Sequence, residues 1–242
     1  MEYKEQLDTL RQQMPIGIRH GLELLRKTNG DIVAARTLFE EELIAIIISK
    51  TSVSQETAQK HLQAANYDMP KTLVSIDEER FSLPERILRN AKNREEALSL
   101  LARNLADAKG IKRNYWLPLD QLQHLSPVQR CLLVVMEWLE YEDYEGFDHG
   151  IYFYVDIVVT QHETMLLLPD VAASIRLGRN RSDALMERYK NKPSPGKKQF
   201  HVGNVINKDK KFVRTMSIFK ENRMLIIDRL YEIATNNIAV FY

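Results

Sequence analysis

The sequence predicts a mainly α-helical protein: a tandem helical bundle, then a long helix, then a smaller α+β domain. Three observations predict it. The first eighty residues repeat on themselves after a shift of 37, residues 82–110 carry an apolar stripe at helical spacing, and past Tyr115 the composition turns to β-branched and aromatic runs. The expected boundaries are 1–81 for the repeated module, 82–110 for a connecting helix and 111–242 for the α+β domain.

The repeat rests on residues 10–36, LRQQMPIGIRHGLELLRKTNGDIVAAR, laid over residues 47–73. Leu10 falls on Ile47, Ile16 on Val53, Gly21 on Ala58, Leu25 on Leu62, Asn29 on Asn66 and Asp31 on Asp68. Small and apolar core positions, a turn Asn and a capping Asp are what two copies of one helical unit keep in common. Each copy reads as three short helices. In the first, Leu7 and Leu10 share a face, Ile18, Leu22 and Leu25 follow the MPIG turn, and Ile32, Ala35, Leu38 and Phe39 follow Asn29-Gly30-Asp31. Gly30 supplies the left-handed residue that stops a helix, and the Asp31 carboxylate accepts from the free N–H groups of the next. In the second copy Ser52 with Gln55 reads as a capping box, and Asp68 followed by Pro70 opens the last helix.

The stretch IGIRHGLELLRKTNGDIVAA resembles the N-terminal domain of bacterial elongation factor Ts and, more broadly, ubiquitin-associated (UBA) domains. Gly17-Ile18 matches the Gly-plus-apolar first turn of those three-helix modules. Gly30-Asp31-Ile32 with Ala35 matches their Gly-Asp corner. The resemblance covers residues 7–43 well and 44–80 more weakly. It implies a protein-binding module, with Met14, Ile16, Gly17 and Ile18 forming the partner groove. The Thr-Asp-Phe-Val stretch of the complete exchange factor has no counterpart here, so nucleotide exchange is not implied. The alternative for MPIGI is that it packs the bundle.

In 82–110 Ser82 caps, Glu85 completes the box and Gly110 stops the helix, with Ile87, Leu88, Ala91, Leu98, Leu101, Leu105 and Ala108 on one stripe. Ser126-Pro127 opens a further helix, and residues 221–237 read as a late one. IYFYVDIVV (151–159) is the leading strand candidate, followed by QFHVGNVI (199–206) and the tail NIAVFY.

Charge is unevenly distributed in the second half. Residues 131–170 hold nine acids and no Lys or Arg, whereas residues 171–220 hold thirteen Lys or Arg against three acids. Two readings follow. In one, Arg176, Arg179, Arg181, Lys197, Lys198, Lys210 and Lys211 form a nucleic-acid-binding surface within 176–214. In the other, the acidic and basic segments neutralise each other.

Chemistry-bearing motifs are sparse. Asp148-His149, Asp156 and His162-Glu163 are the nearest approach to a metal site. Their spacing matches no ligand signature, and a metal-dependent enzyme around 148–163 is the weakest reading. The glycines form no phosphate-binding loop, and no cofactor or metal is expected. The lone cysteine, Cys131, sits in an apolar run and fits a reducing compartment. The most apolar run, 43–49, is far short of the roughly 20 residues that cross a bilayer. A net charge of +1 gives no global bias toward polyanions or membranes. The expectation is a cytoplasmic, bacterial-type, non-catalytic protein that binds a protein partner through its UBA-like module, at the MPIGI turn and the equivalent SVSQE region (52–56). Nucleic acid is the alternative partner, and no membrane is involved.

Overall fold

The computed structural model describes residues 2–189, 203 and 205–242. The chain divides into two compact units, Met1–Arg86 and Ile87–Tyr242.

The N-terminal unit holds α1 (Lys4–Gln13), α2 (Ile18–Lys27), α3 (Ile32–Thr51), α4 (Gln55–Ala64) and α5 (Met69–Arg80). The sequence repeat reappears in the helix boundaries: α2 and α4 both span ten residues, and α4 begins 37 positions after α2. The connecting corners match bond for bond. Gly30 N donates to Leu25 O at 2.8 Å and Tyr67 N to Leu62 O at 2.9 Å; Asp31 N donates to Thr28 O and Asp68 N to Ala65 O. Asp31 then accepts from Val33 and Ala34, as Asp68 does from Lys71. Gly30 adopts φ 85°, where a Cβ would also lie 2.8 Å from the Tyr3 ring, so both backbone and neighbour call for glycine.

The expectation of three short helices per copy is corrected at the junction. The last helix of the first copy runs straight into the first helix of the second as the 20-residue α3. Nothing in TLFEEELIAIIISK breaks a helix, and Ile44 and Ile47 continue the buried face begun by Ala35 and Phe39. Ser52 is accordingly the left-handed residue that ends α3, and Ser54 caps α4 through Thr57 N.

The 82–110 segment is two helices, α6 (Leu83–Asn90) and α7 (Arg94–Ala108). Ser82 and Glu85 close the anticipated box, and Gly110 ends α7 at φ 64°. The break comes from a second capping pair within the stripe: Asn93 accepts from Glu96 N at 2.9 Å, while Glu96 reaches back to Lys92 N. Nor is α7 merely a connector. Leu98, Leu101 and Leu105 are buried in the core of the C-terminal unit.

That core surrounds α8 (Pro127–Glu145), which Ser126 and Gln129 open with a full capping box. Residues 131–139 of α8 are all buried, the mark of a helix enclosed on every side. Around it lie α7, α9 (Phe147–Gly150), α10 (Val155–Thr164) and α12 (Lys210–Asn236), with α11 (Pro169–Arg188) packed along α10 and α12. Gly178 on α11 permits a close crossing, because an added Cβ would meet Phe147 at 3.1 Å and Thr215 Oγ1 at 3.2 Å. Trp138 anchors the centre, donating from Nε1 to Gly150 O at 2.8 Å and meeting Phe219 edge-on.

The expected α+β domain is corrected to a helical one: the described residues contain no strand, only an isolated bridge between Asn114 and Trp116. IYFYVDIVV forms a turn and then α10, because Val158, Val159 and His162 bury one helical face and tertiary packing overrides their β preference. NIAVFY ends in a short 3-10 turn, Ile238–Phe241. In QFHVGNVI, Gly203, Val205 and Ile206 are helical, and the rest lies outside the described residues. The late helix begins at Lys210 rather than 221, capped by Asp209.

Candidate functional site

In the N-terminal unit the MPIGI turn divides by exposure. Met14 and Ile16 are 2% and 4% exposed and belong to the core with Leu7, Leu10 and Leu25. They hold the turn from beneath and are not surface contacts, because their apolar side chains close the bundle where α1 meets α2. Gly17 is exposed with open space around it, and Ile18 is 52% exposed.

Beside this turn lies an open groove of about 500 Å³. Phe39 and Leu43 of α3 form its floor, Pro15 one rim, and Tyr67, Met69 and Pro70 of the second corner the other. The groove therefore draws on both copies of the repeat. Polar bonds fix its second wall: Arg36 donates to the Tyr67 hydroxyl at 3.3 Å, which donates on to Glu40. Tyr67 is held at φ 63°, a conformation unusual for an aromatic residue. The equivalent SVSQE turn of the second copy does not line the groove.

Three arginines of the basic segment are drawn into ion pairs. Arg176 grips both oxygens of Glu163, a pair that joins the basic and acidic segments directly. Arg179 pairs with Asp183 at 2.9 Å and covers the Tyr152 ring at 4.0 Å. Arg181 pairs with Asp209, whose carboxyl this guanidinium pulls down to about 2, with Phe212 N adding to the effect. Lys210 and Lys211 are exposed on the first turn of α12. Lys197 and Lys198 lie outside the described residues. Arg223 of α12 takes up acidic charge as well, bonding Glu95, Glu142 and Asp143.

Around 148–163 the chemistry disperses. His149 is exposed near Asp148, whereas His162 is fully buried with Nδ1 2.8 Å from Val158 O. Burial holds the His162 imidazole below its ordinary pKa. Among the described residues no group of three or more His, Cys, Asp or Glu is placed to hold a metal ion. Burial likewise pushes the Cys131 thiol up to about 12.

A cleft of about 320 Å³ between α7 and α8 is the feature that sequence reasoning missed. Glu137, 2% exposed, accepts from Leu117 N at 2.9 Å, while Arg113 Nη2 sits 2.7 Å from its other oxygen, out of line for a directed bond. Glu140, one turn on, faces the same cleft, and partial burial followed by the nearby Glu137 charge raises its carboxyl pKa. The available signal was two acids three apart in a helix otherwise buried all round. An acid in a buried position needs a partner, and Arg113 supplies it.

No helix among the described residues is long and apolar enough to cross a membrane. No solved structure matches the chain. Over 191 residues, 79% of this chain and 80% of the other, it is 35% identical to a protein of Escherichia coli (strain K12) described as "Uncharacterized protein YfbN". The family model of the YfbN C-terminal domain matches residues 82–239, which take in α7, the charged cleft and the whole of the bundle around α8. The chain belongs to the YfbN family.

Proposed function

We propose that this chain is a non-catalytic binding protein that holds an apolar segment of a partner protein in the groove of its N-terminal unit. One observation carries the reading. The groove has a ready apolar floor in Phe39 and Leu43, and its two rims come from the first turn of one copy and the second corner of the other in a duplicated helical module. Grooves with such floors take amphipathic partner segments, whose apolar residues gain about 25 cal/mol per Å² buried. The resemblance of residues 7–43 to UBA modules supports the same reading, with Gly17 and Ile18 at the edge of the contact and Met14 and Ile16 bracing it. A cytoplasmic setting is part of this proposal and rests on the single, buried thiol of Cys131.

The test pairs binding with stability in the full chain. Ile18→Asp places a charge on the exposed turn that follows the Pro15 rim and Pro70→Glu one on the opposite rim, so each should release the partner captured by the wild type while the melting temperature stays unchanged. Ile16→Asp should lower the melting temperature. Capture undiminished by both surface variants would overturn the proposal.

A further inference from the structure

We propose that a second docking face, built in the C-terminal unit from Tyr115, Trp116 and the outer turns of α8, receives a basic polypeptide segment rich in Lys or Arg. It lies in the other unit from the groove and does not depend on it.

The face starts from a backbone oddity. Trp116 N donates to Asn114 O at 2.8 Å and Asn114 N to Trp116 O at 3.4 Å, so Tyr115 alone forms the turn between them. Its φ of 64° is unfavourable for an aromatic residue, yet its side chain is 90% exposed. No burial of that ring offsets the strain. The loop is nevertheless pinned on both sides of its last residue: Leu117 N donates to the buried Glu137, and the Tyr154 hydroxyl donates to Leu117 O at 2.7 Å. A rigid support thus presents Tyr115 outward.

Behind it lies a continuous aromatic surface. Trp116, 40% exposed, meets Tyr141 and Phe153 edge-on, each at 5.0 Å. Tyr141 stacks on Phe153 at 4.0 Å. Surface tryptophan and tyrosine on fixed supports are the residues that dominate binding faces, since they bury large area at little entropic cost.

Charge selects the occupant. Along the same helix Glu142 and Asp143 are taken up by Arg223, whereas Glu145 makes no ion pair among the described residues; Glu140, also without one, faces the neighbouring cleft that Arg103 and Arg113 line. Glu145 lies close enough to the Tyr141 phenol to raise its pKa, behind the larger effect of burial. Arg113 is neutralised by Glu137. An aromatic face with unpaired carboxylates attracts guanidinium and ammonium groups, through ring faces and ion pairs together, and repels phosphate backbones and acidic peptides.

The test uses the protein's own probe. Trp138 is fully buried, so a ligand at this face changes the emission of Trp116. The full chain is titrated with an oligo-arginine peptide, with oligo-glutamate and a random single-stranded DNA as opposing probes. Anisotropy of the labelled peptide serves the variants. The expected result is saturable, salt-weakened binding of oligo-arginine alone, reduced roughly tenfold by Glu140→Gln with Glu145→Gln and by Tyr115→Ala. Glu56→Gln, an exposed acid of the other unit, should leave it unchanged. The proposal is overturned by absent binding at low salt, by binding that all these variants leave intact or weaken equally, or by preference for oligo-glutamate or DNA.

Discussion

Asn29 and Asn66 stand 37 residues apart in the same left-handed conformation, with φ of 52° and 51°. Each is followed by a second residue of positive φ and then by an aspartate that caps the next helix. Two corners built alike should respond alike. Asp31→Ala and Asp68→Ala are each expected to lower stability by about 1 kcal/mol, the usual worth of an N-cap. Chemical denaturation of the full chain checks this. Asn29→Val and Asn66→Val should destabilise more than the corresponding glycine substitutions, because a β-branched residue resists positive φ.

Asp209 serves two structures at once, pairing with Arg181 and capping α12 through Phe212 N. Asp209→Asn keeps an acceptor at the cap and loses the charge, so it should cost less than Asp209→Ala. The folded carboxyl sits near 2, below its ordinary value of 3.8. Its contribution is therefore complete above 3.8 and is lost as pH falls toward 2. Acid titration followed by circular dichroism should show that loss in the wild type and not in Asp209→Asn. The pair is still partly open to solvent, so the effect should shrink with added salt.

His162 gives acid sensitivity at milder pH. Nδ1 donates to Val158 O, which leaves Nε2 as a buried acceptor without a partner, and burial keeps the ring neutral. The unfolded chain takes up a proton near the ordinary value of 6.5 that the folded chain refuses. Stability is thus full above that pH and declines as pH falls below it. His162→Phe retains a ring beside Trp138 and should flatten the melting-temperature profile between pH 7 and pH 5.

Cys131 is enclosed in α8 with its thiol pushed up to about 12. Thiol reagents at pH 8 should leave the native chain unlabelled and modify one equivalent after denaturation. Prompt labelling of native protein would show that α8 opens readily.

The parts legible in the sequence were those written in local chemistry. The Asn-Gly-Asp corner, the Ser82 box, the Ser126-Pro127 start and the Gly110 stop each depend on residues within one turn of one another. Junctions of competing signals misled: Ser52 looked like a cap because its hydroxyl stands three residues before Gln55, but α3 simply extended to meet it. The 151–159 run read as a strand because β-branched residues record burial more than backbone geometry. The groove and the α7–α8 cleft were illegible for a further reason. Both arise where distant segments converge, Pro15 with Tyr67 in one and Arg113 with Glu137 in the other, and no local period encodes such meetings.

The most direct test of the central claim is site-specific photocrosslinking of the full chain in bacterial lysate. A photoreactive phenylalanine would replace Ile18 on the turn beside the groove or Pro70 on its rim, and Glu56 on α4 as the control. The expected result is a discrete polypeptide adduct from both of these positions, absent from the Glu56 control and lost when Ile18→Asp is combined with the probe at Pro70. Adducts identical at all three positions, or none at the groove, would contradict it.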